Sequence, residues 1–371
     1  MPNENLANAR RARNDEFYTQ YHDIEKEVNA YLDYAPYTFR DKTVLLPCDD
    51  PEWSNFTKYF AQNFERLGLR KLVSTSYAVE SKNYPTDWQP TLFETENPRY
   101  EVEKSRVCGK IFVLDHDTNR NGRIDIEDLQ WEYLQGDGDF RSEEVRRLRN
   151  EADIIVTNPP FSLFREFLAW IVEAEKQFLI IGNMNAITYK ETFPLIKENR
   201  MWLGNGFHAG NAYFAVVKNR EYAEGVYDVD TGLVKFRNCC WFTNLEHGRR
   251  HQPLQLMTME DNLRYSKHKD LRGRKEYLHY DNYDAIEVPY TDAIPNDYEG
   301  VMGVPISFLD KYCPEQFEIL GVTQRNDDPY KIKRYTVEEY PNANDLNARG
   351  VIMIDGVPKS MYARVLIKHK R

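Results

Sequence analysis

The chain has 371 residues and a net charge of −10, and 13% of its residues are aromatic. This length can bury a full core and divide into two domains, and the aromatic content excludes a wholly disordered chain. The negative charge excludes uniform affinity for nucleic acid, so a DNA contact would need a local basic surface. No apolar run reaches membrane-spanning length, and the five cysteines are typical of a reducing compartment. We therefore expect a folded cytoplasmic protein with no membrane contact.

The first structured unit is predicted between residues 43 and 77. An apolar run over residues 43–46 predicts a strand, an acidic turn follows, and phenylalanines then recur at helical spacing before a second predicted strand over residues 71–77. Strand, helix and strand at this spacing predict a parallel βαβ unit, whose first turn is the expected cofactor loop. That turn lacks the glycine-rich pattern of dinucleotide sites, so no NAD or FAD is predicted.

Residues 117–128 follow the register of an EF-hand calcium loop, with oxygen side chains at the ligand positions and Gly122 at the sixth. Aspartate replaces the usual glutamate at the last position, two of the ligands are neutral, and no helix pattern precedes the loop. A polar turn held by its own Asx hydrogen bonds is therefore the favoured interpretation, and no metal is predicted. The calcium alternative would use Asp117, Asn119, Asn121, Asp125 and Asp128.

An acidic and aromatic loop covers residues 136–142. Asp139 beside Phe140 suits a loop that accepts a hydrogen bond from an exocyclic amine and stacks on an adenine ring. Aspartates flanked by glycines are also typical of a simple turn, and this alternative stays open.

Residues 152–164 are the centre of the predicted fold. A β-branched apolar run predicts a buried strand, two prolines end it, and an apolar pattern at helical spacing follows. Asn158-Pro159-Pro160-Phe161 should therefore form a rigid turn at the carboxyl end of a strand, where open α/β sheets bind ligands. The turn presents acceptors and an aromatic face in fixed directions, which suits a site that holds a flat base by its amino group.

The pattern changes after about residue 206. Strand-like segments with short loops follow, and positive charge concentrates in residues 247–251 and 264–275, interleaved with tyrosines. A charge run is usually a solvated surface, but beside a base-handling domain it is the best candidate for a DNA contact. The candidate DNA-binding residues are Arg249, Arg250, Arg264, Lys267, Lys269, Arg272, Arg274 and Lys275.

The Asn-Pro-Pro-Phe turn after an apolar strand matches the catalytic motif of amino-group methyltransferases that use S-adenosylmethionine. Four further segments make nearly the whole chain similar to the EcoRI-like DNA adenine-N6 methyltransferase family, namely residues 47–56, 136–142, 181–186 and 303–312. The resemblance implies an α/β fold, with a Rossmann-like doubly wound methyltransferase sheet and a C-terminal mixed α+β target-recognition region. It implies a catalytic domain over residues 1–206 and a DNA-binding region over residues 207–371.

The resemblance also implies roles for individual residues. The catalytic residues would be Asn158, Pro159, Pro160 and Phe161. The residues that bind S-adenosylmethionine would be Phe17, Tyr18, Thr19, Pro47, Cys48, Asp49, Asp50, Ser54, Asn55, Asp139 and Phe140. The first loop has no glycine, and Ser74-Thr75-Ser76 stands where an acid often contacts the ribose, which leaves that contact unassigned.

The family implies double-stranded DNA as substrate, with methylation at N6 of a flipped adenine, in a prokaryotic or phage cytoplasm. A restriction endonuclease would be a partner through a shared target only. Two alternatives stay open: an RNA adenine or protein glutamine methyltransferase, and a DNA-binding relative without catalysis. The basic C-terminal region disfavours the glutamine enzymes, and the intact motifs disfavour an inactive relative.

Overall fold

The chain forms two compact units. The computed structural model describes residues 18–47, 49, 54–78, 95, 100–207, 211–215, 227–324 and 328–370. The first unit combines Met1–Met184 with Leu203–His247, and the second combines Asn185–Trp202 with Gly248–Arg371. The boundary predicted at residue 206 lies inside the first unit, because strands after that residue pair with strands before it. The functional division of the chain stays a prediction.

Helices and strands alternate along the described residues, which makes this a mixed α/β protein. The helices are α1 (Tyr21–Tyr34), α2 (Asn55–Gln62), α3 (Phe64–Leu67), α4 (Val102–Val107), α5 (Glu143–Glu151), α6 (Phe164–Glu173), α7 (Phe193–Lys197), α8 (Met259–Tyr265) and α9 (Ala343–Asn347). The strands are β1 (Tyr18–Thr19), β2 (Thr43–Leu46), β3 (Lys71–Ser76), β4 (Lys110–Leu114), β5 (Gln130–Tyr133), β6 (Ile154–Thr157), β7 (Gln177–Asn183), β8 (Trp202–Leu203), β9 (Asn211–Ala215), β10 (Tyr227–Asp228), β11 (Leu233–Arg237), β12 (Cys239–Thr243), β13 (Leu278–His279), β14 (Ile286–Glu287), β15 (Met302–Pro305), β16 (Phe317–Val322), β17 (Val351–Ile354), β18 (Val357–Ser360) and β19 (Arg364–His369). Among the described residues, no helix is both long and apolar enough to cross a membrane.

The largest sheet has the strand order β5-β4-β3-β2-β6-β7-β12-β8. Its centre is parallel, because β2 pairs in parallel with β3 and β6, and β6 pairs in parallel with β7. The predicted parallel βαβ unit is therefore confirmed. β4 and β5 form an antiparallel hairpin beside β3, and β12 is antiparallel to β7. Since parallel strands end at the same edge, the chain after β2, β3, β6 and β7 leaves the sheet on one side, where α/β sheets bind ligands.

Amphipathic helices pack against this sheet through the residues that their spacing predicts. α1 buries Ile24 and Val28, and α2 buries Phe56 and Phe60. These side chains join the apolar residues of β2, β6 and β7 in one hydrophobic core. Each fully buried side chain of this size contributes about 1.5–3 kcal/mol, so the core fixes the strands whose ends carry the candidate site.

A smaller antiparallel sheet in the first unit has the order β1-β9-β11-β10. In it, Thr19 of β1 is registered with Phe214 of β9, and Phe214 is registered with Val234 of β11. The short N-terminal strand is thereby fixed against a segment almost two hundred residues further along the chain.

The second unit contains a sheet of order β13-β14-β15-β19-β16 and the separate hairpin β17-β18. A buried ion pair crosses its core, where the Arg364 guanidinium donates to Glu287 Oε1 at 2.6 and 3.0 Å. The two side chains are 10% and 3% exposed. The Tyr280 hydroxyl also donates to Glu287, and burial together with this neighbouring carboxylate raises the pKa of Tyr280 well above its usual value.

We expect Arg364→Ala to destabilise the protein by about 3–5 kcal/mol, because it leaves the Glu287 carboxylate buried without its cation. Arg349→Ala is the control, since Arg349 pairs with Asp345 at a solvent-exposed position in the same unit. The control should leave the free energy of unfolding nearly unchanged. Urea denaturation of both variants measures the difference, and equal midpoints would contradict the prediction.

Candidate active site

The Asn-Pro-Pro-Phe turn begins where β6 ends. Asn158 is half-buried and Pro159 is buried, and the backbone N–H of Leu163 donates to the carbonyl of Pro160 at 2.9 Å. A short 3₁₀ turn at Phe161–Leu163 then leads directly into α6. The predicted order of buried strand, rigid turn and helix is therefore confirmed.

A hydrogen-bond cluster at the end of β6 ties the turn to the first loop. The hydroxyl of Thr157 lies 2.6 Å from Asp49 Oδ2 and 2.9 Å from the carbonyl oxygen of Pro47. Ser54 donates to Asp49 Oδ1 at 2.7 Å, and Thr57 and Ser74 donate to the Asp49 backbone carbonyl. Asp49 is only 7% exposed, so its carboxylate connects protein segments at the position predicted for a cofactor contact.

The predicted N-terminal cofactor motif lies against the same loop. The side-chain amide of Asn55 donates to the Thr19 carbonyl at 2.8 Å, which joins two of the predicted cofactor segments. Thr19 is buried, and its hydroxyl has no hydrogen-bond partner among the described residues. Tyr18 is half-buried next to it. Three other predicted cofactor residues, Phe17, Cys48 and Asp50, lie outside the described residues.

Aromatic rings surround one side of the turn. The ring centroid of Phe161 lies 6.4 Å from that of Phe214 and 5.8 Å from that of Phe236, both in edge-on arrangements. Phe161 itself stays half-buried, whereas Phe214 is fully buried. Sequence analysis predicted strand-like segments after about residue 206, and Phe214 and Phe236 lie on two of the strands there. It missed their position against the turn, because only the small sheet brings β9 and β11 to this place.

The loop that carries Asp139 and Phe140 lies at the end of β3, since the N–H of Ala78 donates to the Asp137 carbonyl at 2.8 Å. Both carboxylate oxygens of Asp139 accept from the Arg141 guanidinium, at 2.9 and 2.6 Å, and this contact raises the pKa of Arg141 further. The stacking role of Phe140 stays a prediction. Its ring is 1% exposed, and it packs on Phe167 of α6 at 5.1 Å between centroids.

The EF-hand-like loop is closed by its own backbone hydrogen bonds. The buried Asp128 carboxylate accepts from the N–H groups of Thr118, Asn119 and Asp125 and from the Thr118 hydroxyl. Backbone N–H groups within the loop also donate to side-chain oxygens of the other candidate ligands, namely Asp117, Asn119, Asn121 and Asp125. The described residues hold no group of three or more His, Cys, Asp or Glu arranged to bind a metal ion. These contacts are Asx hydrogen bonds of the kind expected for a polar turn, and the absence of calcium stays a prediction.

We expect the Asp128 carboxylate to stabilise this loop above about pH 4. Burial would raise its pKa, but hydrogen bonds from the backbone of Asn119 and Asp125 and from Thr118 outweigh burial and leave the pKa lowered. A carboxyl group whose pKa is lowered by folding stabilises the protein above its unfolded pKa of about 3.9, and this effect is lost as the pH falls through the folded pKa. Asp128→Asn should therefore lower Tm at pH 7 more than at pH 3. Calcium or a chelator should leave the wild-type Tm unchanged, and a calcium-dependent rise would contradict the turn interpretation.

The predicted DNA-binding residues all belong to the second unit. Those in residues 264–275 have exposed side chains, namely Arg264, Lys267, Lys269, Arg272, Arg274 and Lys275. Arg249 is half-buried and pairs with Asp310 at 2.5 Å. Arg250 differs from the exposed residues, and its predicted DNA contact stays a prediction. It is 4% exposed, its guanidinium lies 3.8 Å from the ring centroid of Trp202, and it donates to Asn199.

Comparison with known proteins assigns the class of this chain. The family model described as the adenine-specific methyltransferase EcoRI matches residues 5–370. The type II methyltransferase M.EcoRI of Escherichia coli is 39% identical over 372 residues, which cover 100% of this chain and 97% of that protein. M.MpnI of Mycoplasma pneumoniae is 32% identical, over 98% of this chain and 97% of its own length. M.MgeORF184P of Mycoplasma genitalium is 31% identical, over 98% of each chain. No solved structure matches.

These full-length matches, together with an Asn-Pro-Pro-Phe turn at the end of a central strand, define an adenine-specific DNA methyltransferase. The chain belongs to the EcoRI methyltransferase family, as its motifs predicted.

Proposed function

We propose that this enzyme transfers a methyl group from S-adenosylmethionine to N6 of an adenine flipped out of duplex DNA. The observation that carries the proposal is the position of Asn158 and Pro159, whose acceptors follow a buried parallel strand and adjoin the Asp49 loop. The strand order β3-β2-β6-β7 with parallel pairing supports a Rossmann-like arrangement of the catalytic region, with the ligands at the carboxyl edge.

The residues at this edge suit a cofactor with a positive sulfur and ribose hydroxyls. S-adenosylmethionine supplies an electrophilic methyl group on that sulfur. The buried Thr19 hydroxyl, which has no partner among the described residues, is available to donate to or accept from the cofactor. Asp139 adds a half-buried carboxylate at the end of β3. We assign cofactor binding to these residues and to the first loop. The carboxylate of Asp49 contributes through the shape of the loop.

The catalytic turn would act through its acceptors. The N6 lone pair of adenine is delocalised into the ring, so the amine is a weak nucleophile. Asn158 Oδ1 and the Pro159 carbonyl would accept the two N6 protons and favour a pyramidal nitrogen. They would also stabilise the positive charge that develops there, by the same electrostatic principle as an oxyanion hole with its sign reversed. The proton becomes acidic only when nitrogen is cationic, so no strong base is needed earlier.

The half-buried ring of Phe161 would stack on the flipped base. Base flipping costs a few kcal/mol, and stacking on an aromatic side chain returns about 1–3 kcal/mol per base. Phe214 and Phe236 hold the Phe161 ring edge-on, which limits its rotation and keeps one surface oriented for a base.

Duplex DNA would contact the exposed basic residues of the second unit. Phosphate contacts of this kind position the duplex, and contacts to base edges select the sequence. We further propose that a cognate restriction endonuclease, where one exists, shares the DNA target and needs no contact with this protein.

We expect Asn158→Ala to reduce methyl transfer into duplex DNA by at least about 10²-fold, because it removes a charge-stabilising acceptor. Affinity for S-adenosylmethionine, measured by calorimetry, should stay within a few-fold of wild type. Asn158→Asp keeps an acceptor oxygen and should retain more activity than the alanine variant.

The assay is incorporation of labelled methyl groups into duplex DNA, RNA and protein, followed by sequencing of the DNA for N6-methyladenine. Near wild-type methylation by Asn158→Ala would show that this acceptor is not catalytic. Transfer into RNA or protein in preference to duplex DNA would overturn the proposed substrate.

Exposed and buried arginines should differ in their effect on DNA binding. Arg272→Ala should lower the slope of log affinity against log salt concentration by about 1, because one phosphate contact is lost. Arg250→Ala should leave this slope unchanged and lower Tm instead, since its guanidinium packs on Trp202. DNA titrations at several salt concentrations and thermal unfolding of both variants test this contrast. The reverse pattern would place the phosphate contact at Arg250.

A further inference from the structure

Thr157, the residue before the catalytic turn, has a fully buried side chain that sequence analysis did not select. Its hydroxyl begins a continuous set of hydrogen bonds. Asp49 Oδ2 accepts from Thr157, Asp49 Oδ1 accepts from the Ser54 hydroxyl, and Ser54 Oγ accepts from the N–H of Phe56 in the first turn of α2. The set therefore runs from the peptide bond that precedes Asn158 to the start of α2.

The Thr157 hydroxyl joins β6 to the chain that follows β2, beyond the point where backbone pairing between the two strands ends. The β2–β6 ladder registers Val44 with Ile154 and Leu45 with Ile155, two residues short of Thr157. On the other side, Thr157 is registered with Ile180 of β7. The Thr157 hydroxyl therefore links the ends of β2 and β6 where their ladder has stopped, directly beside the catalytic turn.

The hydrogen bonds to the Asp49 carboxylate make the connection between the first loop and Thr157 rigid. Hydroxyl donors to a buried carboxylate form short, charge-assisted hydrogen bonds, and low local polarity strengthens them. Both contacts to the Asp49 carboxylate are of this kind, at 2.6 and 2.7 Å. A displacement of the first loop is therefore transmitted to the backbone at Thr157, and from there to Asn158.

We propose that Thr157 and Asp49 are positioning residues that couple the cofactor loop to the base-binding turn. The inference rests on the proposed function, which places the cofactor at the first loop and the adenine at the turn. Binding at one site then favours the competent geometry of the other, and thermodynamic linkage makes this effect reciprocal.

Thr157→Val tests the proposal, because it removes the hydroxyl and keeps the shape, and Thr157→Ser is the control that restores it. The affinity for S-adenosylhomocysteine is measured with and without saturating target duplex, and the affinity for the duplex with and without S-adenosylhomocysteine. In the wild type, each ligand should raise the affinity for the other by the same factor, in the range of about 5- to 150-fold. In Thr157→Val the enhancement should fall towards one while each ligand alone binds within a few-fold of wild type. kcat should fall by about tenfold or more, and Thr157→Ser should recover both quantities.

Thr157→Ala removes the same hydroxyl and replaces Thr157→Val if that variant does not fold. No enhancement in the wild type, or an undiminished enhancement and kcat in a folded Thr157→Val or Thr157→Ala variant, would overturn the coupling. Failure of the proposed function is distinguishable, because the wild type itself would then not bind S-adenosylhomocysteine or not methylate DNA.

Discussion

The carboxyl edge of the central sheet, where we propose the active site, depends on one buried carboxylate, that of Asp49. Burying an ionised carboxylate is strongly unfavourable unless hydrogen-bond donors surround it, and here two hydroxyls donate to its oxygens. Two more hydroxyls donate to the backbone carbonyl of the same residue. Many α/β sheets shape the first loop with glycines that let the backbone approach a phosphate. This chain has no glycine there and fixes its loop with hydroxyl groups around an acid, which suits a ligand without phosphates.

An aromatic cluster packs against the Asn-Pro-Pro-Phe turn. Phe161 leaves the turn towards Phe214 and Phe236, which the small antiparallel sheet holds in place. The same sheet fixes Thr19 beside Phe214. The turn therefore combines polar acceptors with a half-buried aromatic ring, and on the proposed function a flat heterocycle with an exocyclic amine would match both. Neither the polar acceptors alone nor the aromatic ring alone would specify adenine.

Local signals in the sequence predicted the elements, and long-range packing decided the roles of several side chains. The strand, the prolines and the helix around Asn158 are encoded within a dozen residues, so they were predicted correctly. The partner of Asp49 lies 108 residues away in sequence, and no local pattern marks it. The burial of Phe140 and Arg250 was not predicted either. An aromatic beside an acid and an arginine in a basic run are typical of ligand contacts, but α6 encloses the first and Trp202 covers the second.

The effect of charge on DNA binding depends on which basic residues are exposed and which are buried. The overall charge of −10 repels DNA, and on the proposed function the exposed basic residues of 264–275 would face the duplex. Several cations of the second unit already bind acceptors within the protein, as Arg249 does with Asp310 and Lys267 with Asp292. A cation that is paired within the protein is less available to a DNA phosphate, so fewer counterions are displaced on binding. The salt dependence of binding is set by the number of displaced counterions rather than by the number of basic residues in the sequence. On the proposed function, an acidic enzyme whose basic residues partly pair within the protein should hold nonspecific DNA weakly and depend on contacts with its target bases to remain bound.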